Sequence, residues 1–198
     1  MRPREAFSRL PRFLMFAIAG LIQVALIVYM VVVHARVLRA GTEVILQTRP
    51  VDPRDFLRGD YVLLTYDISV VMADALADQP SSGKYTPVYV KLAPNADGFH
   101  ELVSLHAEPV PLSGNEVLLQ GRVVYGANCG PNSHSFCDRL TIHYGIERYF
   151  VPEGQGHEIE SARNQGKVAI VAAVTLAGHA AIKRLLIDGK PVYDEPLF

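Results

Sequence analysis

The side chains able to do chemistry fall in two clusters and a scatter. Asp52, Asp55 and Asp60 lie in VDPRDFLRGD, while Glu147 with Arg148, and then Glu153, frame Tyr149 and Phe150 in YGIERYFVPEG. Carboxylates held in different protonation states can run acid–base hydrolysis. Asp55, Asp60, Glu147 and Glu153 therefore define one reading, a hydrolase whose acidic site forms if the two segments converge. Three aspartates also suggest calcium, but their spacing departs from D-x-[DN]-x-[DN]-G and Arg54 and Arg58 lie among them, so no metal is expected there. The approach VDPRDFLR contains no serine, and Lys84 and Lys91 have no evident nucleophile to serve. The seven histidines are scattered; His100 and His106 should share a strand face, and with His143 they read as solitary polar residues rather than ligands. No catalytic set and no cofactor is expected from these residues.

Cys129 and Cys137 bracket a polar, turn-rich loop, GPNSHSF. In an exported domain the pair can form a disulfide, which across so short a loop is worth roughly 2–3 kcal/mol. Free thiols, or a metal shared with His134 or His143, are the other readings, although the paired spacing typical of zinc sites is missing.

The elements that position these residues begin with an apolar run. Residues 13–33 are uncharged and lack proline, with Gln23 the one strongly polar member. About 20 such residues cross a bilayer as a helix. A cleaved signal has a shorter core, about 7–15 residues, and a small-residue cleavage site; the best site here, Leu38-Arg39-Ala40, carries an arginine. A helix buried in a soluble core is the third reading and fits badly, because the run is apolar all round. Arg2, Arg4, Arg9 and Arg12 precede the run and Arg36 and Arg39 follow it, an excess that predicts a cytoplasmic N-terminus. The expected organisation is a cytoplasmic tail (1–12), a transmembrane helix (13–33) and a periplasmic or extracellular domain (40–198). Residues 40–198 hold 13 basic against 19 acidic residues, a net charge of −6, which argues against a nucleic-acid partner.

The outer part alternates short apolar runs with turn signals. Strands are expected at 42–48, 61–68, 86–92, 99–106, 117–125, 140–151, 167–177, 180–187 and 190–193, and a short helix at 157–164. Residues 70–79 read as a short helix or a loosely ordered connection. This pattern predicts a mostly β domain, a β-sandwich or partly open β-barrel with one or two short helices. The run GDYVLLTY is expected to organise it. Gly59 supplies the turn geometry and Asp60 accepts backbone N–H bonds that lock it. In the strand that follows, Tyr61, Leu63 and Thr65 point one way and Val62, Leu64 and Tyr66 the other, so one tyrosine serves the core and one the surface.

That run resembles the signature of the GDYXXLXY family at Gly59, Asp60, Tyr61, Leu64 and Tyr66, and YGIERYFVPEG resembles a later block of the same family. The resemblance implies a bacterial protein of unknown biochemical role, anchored in the inner (cytoplasmic) membrane and often found beside or fused to multi-spanning membrane proteins. The expected function is non-enzymatic: an anchored domain that binds a partner membrane protein or an envelope component. The surface would draw on Gly59, Asp60, Tyr61, Leu64, Tyr66, Glu147, Tyr149, Phe150 and Glu153. A purely structural module that associates through Gly20 and Gln23 in the bilayer is a further reading. Because the motif follows the apolar helix by only about 25 residues, it is expected to face the membrane.

Overall fold

The computed structural model describes residues 12–50, 61–72, 85–127, 139–151 and 156–194. The chain enters as helix α1 (Arg12–Ala40). Its length and composition are sufficient to cross a membrane, and its side chains from Phe13 to His34 are almost all exposed. A core helix would be covered, so that alternative does not hold. At the far end Leu38 is buried, and the last turns pack on the strands that follow.

Among the described residues twelve strands, all paired antiparallel, make up a mostly β domain. They are β1 (Thr42–Arg49), β2 (Tyr61–Leu63), β3 (Thr65–Tyr66), β4 (Val70–Met72), β5 (Pro87–Pro94), β6 (His100–His106), β7 (Val117–Ala127), β8 (Arg139–His143), β9 (Arg148–Phe150), β10 (Val168–Val174), β11 (Ala180–Ile187) and β12 (Lys190–Asp194). A second helix, α2 (Gly156–Asn164), lies between β9 and β10. One five-stranded sheet has the order β12-β11-β10-β1-β3, the other β6-β5-β7-β8-β4, and β2 and β9 form a separate ribbon. The sheets curl into a half-barrel. The core lies between them, where Val44, Leu46, Ile170 and Leu185 meet Val88, Val90, Leu119 and Ile142. Each such side chain contributes about 1.5–3 kcal/mol when fully buried. β10 is buried at every position, which explains its unbroken apolar sequence.

One stretch stitches the three pieces together. Within residues 61–72, β2 pairs with β9, β3 with β1 and β4 with β8. The expected single strand at 61–68 is therefore broken. A 3-10 turn, Asp67–Ser69, ends it, held where the Tyr66 N–H donates to Ser69 Oγ at 3.0 Å. The expected long strand at 140–151 is also broken, into β8 and β9. Gly145 takes φ +83°, and the Glu147 carboxylate accepts the N–H groups of Tyr144 and of Gly145 (3.0 Å), so the backbone turns inward there. His100 and His106 do not share a face. The β5–β6 ladder skips Val103, which leaves His100 in phase with Leu102 and His106 out of phase with the buried Leu105. Residues 70–72 form β4 rather than the start of a helix.

Candidate functional site: the β2–β9 ribbon and its clasp

Tyr61 to Tyr66 alternate as the sequence predicts. Val62, Leu64 and Tyr66 are buried, while Leu63 is exposed and Tyr61 and Thr65 are half-exposed. The inward residues do structural work. The Leu64 N–H donates to the Glu147 carbonyl at 2.8 Å. The buried Tyr66 hydroxyl donates to the Ile146 carbonyl, and the Tyr144 hydroxyl donates to the Ile68 carbonyl at 2.5 Å. Each segment thus sends a tyrosine into the other's backbone, a reciprocal clasp between residues 66–68 and the turn at 144–147. Burial first, and the nearby Glu147 charge second, raise both phenols above the ordinary tyrosine range, so both stay protonated donors.

The clasp presents a surface. Across the ribbon Tyr61 pairs with Phe150, Val62 with Tyr149 and Leu63 with Arg148. Val62 and Tyr149 face inward, and Tyr149 meets Tyr193 of β12 edge-on at 5.8 Å between centroids. The outer face carries Tyr61, Leu63, Arg148 and Phe150. The Tyr61 and Phe150 rings lie 6.0 Å apart, and the Arg148 guanidinium carbon is 5.9 Å from the Tyr61 ring centroid, at the outer limit of a cation–π contact. Phe150 is 70% exposed and Leu63 43%. Behind β2 stands α2, whose Arg163 is only 1% exposed. Its Nη1 donates to the Leu63 carbonyl at 2.6 Å, and Nε and Nη2 donate to Asn164 Oδ1 at 3.2 and 3.1 Å. Burial lowers its pKa, and Glu160 partly offsets that.

A family model described as GDYXXLXY protein matches residues 23–185, a span that includes both clasped segments and the end of α1. The chain belongs to the GDYXXLXY family. Comparison with curated proteins and with solved structures gives no match. In this GDYXXLXY protein the signature residues divide by place. Leu64 and Tyr66 lie in the core and hold the ribbon; Tyr61 stands on it. Gly59, Asp60, Glu153, Cys129 and Cys137 lie outside the described residues, as do Asp52 and Asp55. Of the acidic cluster, Glu147 alone is described, and its carboxylate is committed to the turn at Tyr144 and Gly145. The hydrolase reading gains no support from that arrangement. Among the described residues no three His, Cys, Asp or Glu side chains are placed to share a metal ion.

The motif is at the far end of β1 from the helix. β1 starts at Thr42, directly after α1 and Gly41, and β3 pairs with its last residues, Thr48 and Arg49. Six residues of strand separate the two, about 20 Å. Residues 61–66 therefore pair with the end of β1 farther from the helix. Sequence distance alone does not reveal this, because β1 carries the chain away from the helix.

Of the residues of the site, Leu63 was placed on the Tyr61 face by the alternation and Arg148 beside the aromatic pair by the sequence, while Arg163 was missed. Arg163 gave no signal, since an arginine near the end of a short polar helix ordinarily reads as solvated and dipole-complementing.

Apart from the ribbon, a concavity of about 440 Å³ opens where β6 approaches β1, lined by Leu46, Arg49, Asp67, Ile68, Phe99 and His100 among others. Its polar groups already have partners: Arg49 Nε donates to Asp67 Oδ1 at 2.6 Å, and Asn95 Nδ2 donates to Glu101 Oε1 at 2.7 Å. The Ile45 N–H donates to His100 Nδ1 at 3.2 Å, which requires that nitrogen to be unprotonated. Burial lowers the His100 pKa from its ordinary 6.5. A histidine with a depressed folded pKa contributes stability that is complete above the unfolded value and is lost as pH falls through the folded one. Urea midpoints should therefore fall as pH drops below about 6.5. His100→Gln should flatten that acid limb; an unchanged limb would place the titration elsewhere.

Proposed function

We propose that this GDYXXLXY protein is a single-pass membrane protein whose outer domain binds a protein partner through the exposed face of the β2–β9 ribbon. The arginine excess before α1 supports a cytoplasmic N-terminus and a periplasmic or extracellular domain, and the family resemblance supports a bacterial inner membrane as its site. The observation that carries the reading is the outer face itself. Tyr61, Phe150, Leu63 and Arg148 combine two aromatic rings, an aliphatic side chain and an arginine, the composition enriched at the centres of protein interfaces. The position about 20 Å along β1 from the helix directs the contact to the part of a partner that stands clear of the bilayer, whether that partner is a multi-spanning membrane protein or a soluble envelope protein.

A photo-crosslinking side chain placed at Phe150 in the intact, membrane-bound protein should give one discrete protein adduct. Arg148→Glu should weaken that adduct, and the same probe at Lys190 should not produce it. Absence of any adduct from both Tyr61 and Phe150 would sink the proposal.

A further inference from the structure

A second surface follows from how the helix meets the sheet. Gly41 is the only residue between α1 and β1, and a Cβ there would lie 2.7 Å from the Val37 carbonyl oxygen and 2.9 Å from the Val174 nitrogen. The helix therefore ends in direct contact with the β10–β11 hairpin, and its last turns pack on both strands. β1 runs away from the helix; β10 is antiparallel to it, with Thr42 paired to Val174. The turn at residues 175–179 consequently lies at the end of the sheet where α1 joins it.

That turn is built rigidly. The Thr175 N–H donates to the His179 carbonyl and the Gly178 N–H to the Thr175 carbonyl, both at 2.9 Å. The His179 N–H donates to Thr175 Oγ1 at 3.1 Å, and the Gln120 N–H of the opposite sheet donates to the Gly178 carbonyl at 2.8 Å. Gly178, at φ +87°, lies too close to the Gln120 backbone for any larger residue. At the tip of this braced turn Leu176 is 97% exposed, beside an exposed Ala177.

The lengths place that leucine. From Val33, the last residue of the apolar run, to Ala40 is seven residues of helix, about 10 Å. Leu176 follows Val174 by two residues, at most about 7 Å of chain. The hairpin lies against the last turns of the helix, so Leu176 lies at the same end of the domain as the apolar run. The polar layer of a bilayer is about 5–8 Å thick on each side. Arg36 and Arg39 are exposed on the same helix end, where they can meet lipid phosphates.

We propose that the β10–β11 turn is a second membrane contact, with Leu176 seated in the headgroup layer beside the anchor. The contact fixes the domain upright and holds the β2–β9 ribbon away from the lipid. The inference rests on α1 being the membrane anchor.

The chain contains no tryptophan, so a single one reports its own position. Full-length protein with Leu176→Trp, Lys190→Trp or Val28→Trp is reconstituted into vesicles of phosphatidylethanolamine and phosphatidylglycerol carrying a headgroup-linked nitroxide or one near the acyl chain ends. Lys190 pairs with Ile187 at the end of the sheet farthest from α1. The headgroup nitroxide should quench the Leu176→Trp variant several-fold more than the Lys190→Trp variant, and the acyl nitroxide should quench Val28→Trp. Quenching of Val28→Trp, with Leu176→Trp as unquenched as Lys190→Trp, overturns the second contact and leaves the anchor standing. No quenching of any of the three removes the anchor, and this inference with it.

Discussion

Tyr66→Ala is expected to cost about 3–5 kcal/mol, a large share of the 5–15 kcal/mol that holds a typical domain. The ring is wholly buried, so its removal leaves a cavity in the layer where β1, β4 and the 144–147 turn meet. Tyr66→Phe isolates the other half of the effect. It keeps the ring and leaves the Ile146 carbonyl without its donor, for about 1–3 kcal/mol. Tyr144→Phe does the same to the Ile68 carbonyl from the opposite side. Because the two bonds fasten one pair of segments, the double variant should lose less than the single losses combined, with a coupling of at least about 0.5 kcal/mol. Urea unfolding of the full chain in detergent, followed by circular dichroism, checks all four proteins. Strict additivity would mean that the bonds act independently and that the clasp is not a unit. Alkaline pH gives a second readout. Both folded phenols have raised pKa values, so their contribution is complete below the unfolded value of 10.0 and is lost as pH rises above it. Either phenylalanine variant should soften that decline.

The inward–outward pattern of Tyr61 to Tyr66 was legible because a strand with one buried face must alternate, and the residue types obey that rule. The apolar helix, the mostly β architecture, β10 as a central strand and the Asp188-Gly189 hairpin were legible for similar reasons: period, length and turn chemistry are local. What failed was what local pattern cannot hold. Nothing in LTIHYGIERYFV states that Glu147 folds back on the amides of Tyr144 and Gly145, so one strand was read where two exist. The counterpart of Tyr66 lies 80 residues away at Ile146, and no spacing rule connects them. The direction of β1 also decides whether the motif lies near the helix or far from it, and direction is a property of the sheet rather than of the segment. The signature itself was legible as a centre but ambiguous in kind. With Leu64 and Tyr66 in the core, most of its described residues act by holding a surface, and Tyr61 is the member that reaches it.

Arg163 shows how far that surface depends on what lies behind it. Among the described residues it is the one charged side chain in the buried set, and its guanidinium joins α2 to the backbone of β2 at Leu63. A short ribbon of three-residue strands has little ladder of its own, so its outer face keeps its place only if the backbone is tied from within. Arg163→Met preserves much of the apolar stem while removing the donors. It should cost about 1.5–3 kcal/mol, the value of a hydrogen bond to a charged group. Arg163→Lys should not restore the loss, because an ammonium on a flexible stem does not reproduce a planar fork that reaches Leu63 and Asn164 together. The decisive measurement is hydrogen exchange of the Tyr61–Leu63 and Arg148–Phe150 amides in the membrane-bound protein. In Arg163→Met these amides should exchange faster while those of β10 change little, and the Phe150 crosslink should weaken in step. If stability falls but exchange rises equally across β10 and the ribbon, Arg163 is a general core residue. If the ribbon alone loosens, the arginine sets the geometry of the binding face without touching what binds there.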